Sequence, residues 1–250
     1  MLVFVIPLKS SQVSKSWLRV CQLFERCIKS VCNQTTDNFK VIVVCNEKPQ
    51  IAFSHPNLIY LPVNFPPPKE ENPVAWGDTD KGRKILAGLV HAAQFSPSHT
   101  MTVDADDCVS NNIAALVSKF PQHNGWFINS GYRYQEGSQF IRYKFSNFYR
   151  ECGSCCIVRY DLNNLPLNPE YNRGYGYYKN YLDHAKIPCK LAEQNHSLEP
   201  LPFPGAVYIL NNGENIFGSS DRFSQGIVGL VNTRLLTKKI RDQFGLYSLS

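Results

Sequence analysis

Long apolar runs and helical periodicities alternate along the first half of this chain. The runs at residues 2–8, 39–44 and 58–63 are continuously apolar, which is typical of strands buried on both faces of a sheet. Between the first two runs, apolar residues recur every three or four positions from Trp17 to Val31, with Ser14 or Ser16 as the N-cap. This order predicts a right-handed βαβ unit in a mostly parallel sheet.

The alternation of predicted strands and helices is interrupted at residues 64–80 and then resumes. Residues 64–80 include three consecutive prolines and no clear periodicity, which predicts an irregular loop that covers a site. Residues 80–95 carry apolar side chains on one helical face, and a strand is predicted at residues 100–103. The first half of the chain is therefore predicted to be of the α/β class.

The second half has a weaker pattern. We predict a helix at residues 111–119 with Ser110 as its cap, antiparallel strands at 126–134 and 140–144, and a further strand at 155–159. The segment 227–244 is predicted as an amphipathic helix with a basic polar side. That side contains Arg234, Lys238, Lys239 and Arg241. We expect one domain over residues 1–250, with a nucleotide-binding half at 1–120 and an acceptor half at 121–250.

Composition and charge narrow the class of protein. The chain is 43% hydrophobic and 18% charged, as is usual for a folded domain, and no apolar run is long enough to span a membrane. The formal net charge of +6 fits an anionic ligand or a weak attraction to acidic membrane surfaces, and it does not by itself indicate nucleic acid. The basic polar side of the C-terminal helix suggests a solvated face, with peripheral membrane contact as the alternative.

Cysteine usage predicts a reducing compartment. The nine cysteines are odd in number and scattered, so we expect reduced thiols that pack as small hydrophobes in a cytoplasmic protein. The opening segment lacks the basic residues of a signal peptide. Cys152, Cys155 and Cys156 resemble half of a zinc site, but no second pair of ligands follows, which disfavours structural zinc.

The segment with the strongest chemical signal is Asp104-Ala105-Asp106-Asp107, directly after the predicted strand at 100–103. Carboxylates this close repel one another unless a cation lies among them, and their hard oxygens suit Mg²⁺ or Mn²⁺. The alternative is a solvated turn that caps the next helix. An EF-hand is excluded, because the sixth and twelfth positions are Val109 and Ala115 instead of glycine and glutamate.

Taken together, four segments resemble the GT-A fold glycosyltransferases, and most closely the enzymes similar to glycosyltransferase family 2. These segments are residues 5–8, 41–47, 81–89 and 103–107. The resemblance implies a GT-A fold with a Rossmann-like, mostly parallel central sheet and a smaller mixed acceptor-side region. It also implies a metal-dependent transferase that moves a sugar from a UDP- or GDP-sugar to a hydroxyl of a glycan, lipid or small-molecule acceptor.

The resemblance assigns the nucleotide to the ends of the first two strands. Pro7 and Leu8 would line the base pocket, and Asn46 or Glu47 would approach the base or the ribose. Members of the family usually have an acidic residue at the position of Asn46, so the base is not defined by this site.

The resemblance also assigns the diphosphate and the metal. Lys81 and Lys84 lie one helical turn apart and would bind the diphosphate. Asp104 would contact the ribose or the metal, Asp106 would ligate Mn²⁺ or Mg²⁺ directly, and Asp107 would either belong to this site or cap the following helix.

The acceptor side departs from the family pattern, since the acidic pair that supplies the base in inverting members is missing. Asp183 is the nearest carboxylate and the first candidate for the base, with Glu170 second. His196 is the first candidate for a further metal ligand, and His184 is the second.

Two other functions are consistent with parts of this sequence. A sugar nucleotidyltransferase would share the architecture, but it needs a glycine-rich loop after the first strand, where this chain has Lys9-Ser10-Ser11-Gln12. A non-catalytic protein with a degenerate GT-A fold would keep the nucleotide–metal pocket without turnover, and the missing acidic pair supports it.

Overall fold

A computed structural model of the protein describes residues 1–66, 73–214 and 232–249, with Pro73 and Val74 as backbone only. These described residues form two sheets and six α-helices. The strands are β1 (Leu2–Pro7), β2 (Phe39–Cys45), β3 (Leu58–Pro62), β4 (His99–Thr102), β5 (Cys108–Val109), β6 (Gly125–Phe127), β7 (Gly131–Gln135), β8 (Phe140–Lys144), β9 (Cys156–Arg159), β10 (Glu199–Pro200), β11 (Ala206–Leu210) and β12 (Thr233–Leu235). The helices are α1 (Trp17–Cys32), α2 (Pro73–Ala92), α3 (Ile113–Lys119), α4 (Tyr175–Leu182), α5 (Ile187–Glu193) and α6 (Lys238–Phe244).

The central sheet has the strand order β10-β6-β9-β4-β1-β2-β3. Strands β3, β2, β1 and β4 are parallel, whereas β9 runs antiparallel to both β4 and β6. The predicted α/β class with a mostly parallel central sheet is confirmed. Because β6, β9 and β10 come from residues after 121, the two predicted halves of the chain share this sheet.

The two long helices cover opposite faces of the central sheet. Helix α1 begins after Ser16, whose side chain accepts a hydrogen bond from the Arg19 backbone N–H, and it packs on the face that carries Phe4 and Ile6. Helix α2 packs on the other face, where a Cβ atom at Gly88 would lie 2.4 Å from Val5 Cγ1. Glycine at this position therefore allows the close approach of α2 to β1.

The second sheet has the order β12-β8-β7-β11-β5. Strands β7 and β8 form the predicted hairpin through Glu136 and Gly137, and β11 lies parallel to β7. The inner face packs on Phe244 and Leu246 in a small apolar cluster of its own. None of the helices in the described residues is long and apolar enough to cross a membrane.

Several predicted boundaries are corrected. Helix α2 begins at Pro73, so residues 73–80 are helical, and residues 67–72 of the predicted loop lie outside the described residues. The predicted strand at 126–134 is two strands in different sheets, because the chain leaves the central sheet after Phe127 and enters the second sheet at Gly131.

Two predicted helices also begin later than expected. Helix α3 starts at Ile113 after Asn112, and Ser110 is not its cap. In the predicted helix at 227–244, residues 227–231 lie outside the described part of the chain, Thr233–Leu235 is a strand, and only Lys238–Phe244 is helical. Arg234 is therefore a strand residue.

Candidate active site

A cleft of about 400 Å³ lies at the carboxyl ends of β1 and β4, between the start of α1 and the first turns of α2. This is the crevice where ligands bind in open α/β sheets. The predicted residues Pro7 and Leu8 lie in its wall. The other lining residues are Lys9, Val13, Val20, Leu23, Trp76, Gly77, Asp78, Asp80, Lys81, Lys84, Asp104, Ala105, Asp106, Tyr208 and Glu214.

Lys81 and Asp104 form an ion pair in this cleft. The Lys81 Nζ atom lies 2.7 Å from Asp104 Oδ1, and both side chains are less than one-third exposed. Burial lowers the pKa of Lys81, but the charge and hydrogen bond of Asp104, together with the charges of Asp106 and Asp107, raise it overall. Lys81 is therefore a cation at neutral pH, placed beside the first carboxylate of the cluster.

Asp106 is held by an amide from a distant segment. Its Oδ2 atom accepts a hydrogen bond of 2.6 Å from Asn212 Nδ2. Burial, followed by repulsion from the Asp104 carboxylate, raises the pKa of Asp106. A divalent cation between the two carboxylates would remove this repulsion.

Asp107 is directed away from the cleft and into the core. Its Oδ2 atom accepts hydrogen bonds from Ser154 Oγ at 2.7 Å and from Cys152 Sγ at 3.2 Å. Burial and the charges of Asp106 and Asp104 raise its pKa well above the usual value. The prediction that Asp107 caps the next helix is wrong, because its side chain connects the acidic turn to the loop before β9.

The same loop supports Asp104. Ser154 Oγ accepts a hydrogen bond of 2.8 Å from the Asp104 backbone N–H, and a Cβ atom at Gly153 would lie 2.5 Å from Asp104 Oδ2. The Cys-Gly-Ser-Cys-Cys pattern of this loop suggested only half of a zinc site, and its contact with the acidic turn was not predicted. Its glycine between polar residues was the available signal.

Lys84, the other lysine predicted to bind the diphosphate, has protein partners for its charge. The side chain is fully buried, and its ammonium group donates to the Leu8 carbonyl oxygen at 2.8 Å and to Asp80 Oδ2 at 2.7 Å. These contacts join α2 to the end of β1. Of the two lysines predicted to bind the diphosphate, Lys81 is therefore the one whose ammonium group contacts Asp104 in the acidic turn.

Asn46 and Glu47 stabilise loops beside the cleft. The Asn46 side-chain amide donates to the Val63 carbonyl oxygen at 3.4 Å. Glu47 accepts hydrogen bonds from Ser10 Oγ and from the Ser11 backbone N–H. The structure therefore gives both side chains protein partners at the end of β2.

Glu214 is a cleft residue that the sequence analysis missed. Its carboxylate accepts hydrogen bonds from Lys9 Nζ at 2.9 Å, the Lys15 backbone N–H at 3.2 Å and the Ser16 backbone N–H at 2.8 Å. These donors lie at the positive start of α1, where a carboxylate is stabilised. About 200 residues separate the partners, so no local pattern indicated the contact.

A second cavity of about 170 Å³ lies beside the cleft, between the central sheet and helices α2, α4 and α5. Lys81 and Asp104 line both spaces and so form a shared wall. His184 lines the second cavity, and its buried Nε2 atom has no hydrogen-bond partner among the described residues. Burial lowers the pKa of His184, which leaves the imidazole neutral at pH 7.

The other acceptor-side candidates have salt-bridge partners. Asp183 accepts a hydrogen bond of 2.8 Å from Lys186, which lowers the pKa of its carboxyl group and makes it a weaker base. Glu170 lies 3.2 Å from Arg173 on the surface.

His196 lies away from the acidic turn. The carbonyl oxygen of the next residue, Ser197, accepts a 3.5 Å hydrogen bond from the Asn124 side chain. Asn124 is in turn hydrogen-bonded to Arg159, and Arg159 lies opposite His99 at the amino end of β4. The structure thus places His196 at the opposite end of the strands from Asp104, and it brings the second-choice histidine, His184, to the site instead.

The donor set fits a hard divalent cation that also binds a phosphate. Within residues 1–66, 73–214 and 232–249, no three His, Cys, Asp or Glu side chains form a group that could hold a metal by themselves. Mg²⁺ is commonly held by one or two carboxylates together with substrate phosphates and water, and Asp104 and Asp106 supply two carboxylates. Burial and the charge of Asp104 raise the pKa of Asp106, and a cation held by both carboxylates would oppose this rise.

No protein-family model and no curated protein sequence matches this chain. Among solved structures, residues 1–349 of S. aureus TarS in complex with UDP-GlcNAc are similar with a TM-score of 0.44 and 12% identity, over 85% of this chain and 59% of that one. The 2-C-methyl-D-erythritol 4-phosphate cytidylyltransferase of Francisella tularensis is similar with a TM-score of 0.41 and 11% identity, over 88% of this chain and 95% of that one.

This chain spans about three-fifths of the length of the TarS chain. Likenesses with TM-scores below 0.5 carry no argument about activity, and neither of them points to glycosyltransferase family 2 in particular. The case for function therefore depends on the cleft itself.

Proposed function

We propose that this protein is a metal-dependent glycosyltransferase that moves a sugar from a nucleoside diphosphate sugar to an acceptor hydroxyl. The observation that carries the proposal is a pair of neighbouring carboxylates at an apolar-walled cleft, Asp104, which is paired with Lys81, and Asp106, which accepts a hydrogen bond from Asn212. This arrangement suits a diphosphate with Mg²⁺ or Mn²⁺ better than it suits an unliganded protein.

The acidic, basic and apolar side chains of the cleft have different roles in this proposal. Asp104 and Asp106 would hold the metal, which neutralises the charge that grows on the departing diphosphate. Lys81 would add a second positive charge beside the same group. Leu8, Val20 and Trp76 form an apolar wall that excludes water and so protects the donor from hydrolysis.

His184 is our proposed proton acceptor, in preference to Asp183. Its Nε2 atom lies in the cavity that shares the Lys81–Asp104 wall, and it has no hydrogen-bond partner in the described part of the chain. A neutral imidazole can take the proton of an acceptor hydroxyl as the new glycosidic bond forms. The Asp183 carboxylate is already paired with Lys186.

Thermal unfolding with UDP, GDP and their common sugars, each with Mn²⁺ or with EDTA, tests the donor site. A ligand at a hundred times its dissociation constant stabilises the folded state by about 2.7 kcal/mol. Each kcal/mol raises the Tm of a chain of this size by about 2–4 °C. We expect a Mn²⁺-dependent shift for one nucleotide, and its absence for every nucleotide would refute the proposal.

Asp106→Asn provides the matched variant. The asparagine keeps an oxygen for Asn212 and removes the charge, so we expect an unchanged Tm without ligand and at least tenfold weaker Mn²⁺-dependent binding. Asp161→Asn, at the amino ends of the strands, is the control and should bind like the parent protein. Binding without sugar transfer or donor hydrolysis would instead support the non-catalytic alternative.

A further inference from the structure

Most of the net positive charge of the protein lies in two short segments. Residues 131–151 and 232–249 contain eight Lys and Arg against three Asp and Glu, whereas the remainder of the chain contains 18 against 17. The two segments form β7, β8, β12 and α6, so they meet on the outer part of the second sheet. The rest of the molecule is close to neutral.

The same region exposes large apolar side chains. Phe140, Phe145, Leu235 and Tyr247 are between 52 and 63% exposed, and they are half of the eight large apolar residues that are exposed in the described part of the chain. Leu235 lies directly opposite Phe140 in the β12–β8 pair, so their side chains project from the same face. We name this surface, from Phe140 and Leu235 to Lys238 and Lys239, the hairpin edge.

Around the hairpin edge, the described cations outnumber the described carboxylates. Arg133 and Lys144 share the single carboxylate of Glu151. Lys238 pairs with Asp242 at the surface, where such a pair is weak, and Lys239 is exposed beside it. The electrostatic potential of this surface is therefore positive.

We propose that the hairpin edge docks the protein on a bilayer that contains anionic lipids. Exposed Phe and Leu side chains can enter the headgroup region while the surrounding Lys and Arg contact lipid phosphates, and the two effects add. A second copy of the chain would bring the same positive charge and be repelled. Nucleic acid would leave Leu235 without a partner, since an aliphatic side chain has no ring on which a base can stack.

This surface differs from the C-terminal helix that the sequence suggested for membrane contact. Its apolar residues belong to strands, and helix α6 supplies only the flanking charges. Strand β11 of the same sheet carries Tyr208, which lines the cleft, and β8 lies two strand spacings, or about 10 Å, from β11. Docking would therefore hold the cleft near the lipid surface. The proposal does not depend on the chemistry of the cleft.

Co-sedimentation with vesicles tests the proposal. We expect the intact protein to bind phosphatidylcholine vesicles that contain about 30 mol% phosphatidylglycerol at least tenfold more strongly than vesicles of phosphatidylcholine alone. High salt should weaken this binding. Phe140→Ser with Leu235→Ser, and separately Lys238→Glu with Lys239→Glu, should each reduce binding to the anionic vesicles at least tenfold.

The controls are matched in chemistry and lie elsewhere. Leu167→Ser removes a fully exposed leucine and Lys119→Glu with Lys179→Glu reverses two exposed lysines, and each should bind within twofold of the parent protein. All the altered positions are on the surface, and an unchanged Tm of each variant verifies folding. The nucleotide-dependent thermal shift should be the same in all of them, which separates this proposal from the proposed function.

Three results would overturn the proposal. The first is equal binding, or no binding, to the two kinds of vesicle. The second is an equal loss of binding in the control variants. The third is preferential binding of a single-stranded oligonucleotide that competes with vesicles, or self-association at the hairpin edge measured by sedimentation, because either would assign the surface to another occupant.

Discussion

Both ends of the central sheet contain buried ionisable groups, but these groups differ in the partners that balance them. At the amino ends, the fully buried His99 has its Nε2 atom 2.8 Å from the His123 carbonyl oxygen and its Nδ1 atom 3.1 Å from Ser98 Oγ. Burial lowers the pKa of His99 to about 4. The ring is therefore neutral at pH 7, with both nitrogen atoms in hydrogen bonds.

At the carboxyl ends, three carboxylates occupy four consecutive positions. Among the described side chains, Lys81 forms a salt bridge with one of them, Asp104. Burial and mutual repulsion raise the pKa of Asp106 and of Asp107. The amino end is thus electrostatically complete without a ligand, whereas under the proposed function the carboxyl end would be completed by a bound cation. This difference distinguishes a structural cluster from a candidate site better than burial alone does.

The largest expected effect concerns the two lysines of α2. Lys84→Ala would leave Asp80 without its buried partner, and we expect a loss of about 3–5 kcal/mol in the free energy of unfolding. Lys81→Ala, at a partly exposed position, should cost less than about 1 kcal/mol and should instead abolish nucleotide-dependent stabilisation. Urea unfolding with and without Mn²⁺ and nucleotide measures both, and equal losses of stability would contradict the distinction.

The amino end should show its neutral histidine in a pH titration of stability. The pKa of His99 in the folded protein lies below the ordinary value of about 6.5. Between about pH 6.5 and 4, His99 is therefore protonated in the unfolded chain but remains neutral in the folded protein. Stability should therefore fall with decreasing pH in this range, by about 2 kcal/mol from pH 7 to pH 5. His99→Gln should flatten the slope by that amount, while His91→Gln, on helix α2, should leave it unchanged.

A subtler change can disturb the carboxyl end alone. The Cβ atom of Gly153→Ala would meet the Asp104 carboxylate, which can move, so we expect a small change in Tm and about tenfold weaker Mn²⁺-dependent nucleotide binding. Gly176→Ala is the control, because a Cβ atom there meets nothing within 4 Å. Normal binding by Gly153→Ala would mean that the position of Asp104 is unimportant.

The smallest expected effect is that of Asp183→Asn. Since Lys186 already lowers the pKa of this carboxyl group, we expect less than a threefold change in the rate of sugar transfer. His184→Gln should lower the rate at least 30-fold, or about 2 kcal/mol, with little change in the affinity for the donor. The opposite ranking in steady-state kinetics would restore Asp183 as the base.

The sequence predicted the parts of this structure that depend on local patterns. Three continuous apolar runs matched β1 to β3, the predicted strand at 100–103 matched β4, and the acidic turn followed it, as the spacing indicated. The start of α2 at Pro73 was missed, because the prolines before it and the polar residues Asp78 and Asp80, which face the cleft, obscure the helical period.

The site was less predictable than the sheet, since its supports are distant in the sequence. Ser154 contacts Asp104 across 50 positions, and Asn212 contacts Asp106 across 106 positions. Lys81 and Lys84 have the same residue type and nearly the same place on α2, yet one faces the cleft and the other is buried under Leu8. Only the packing of α2 on β1 distinguishes them.

The ion pair between Lys81 and Asp104 separates the cleft from the second cavity, so it also bears on the order of events in a catalytic cycle. If a cation were bound by Asp104, the Lys81–Asp104 ion pair that lies between the two cavities would be weakened. Entry of one substrate would in this way prepare the chamber for the other. Under the proposed function, we would therefore expect an ordered kinetic mechanism, with the donor binding before the acceptor.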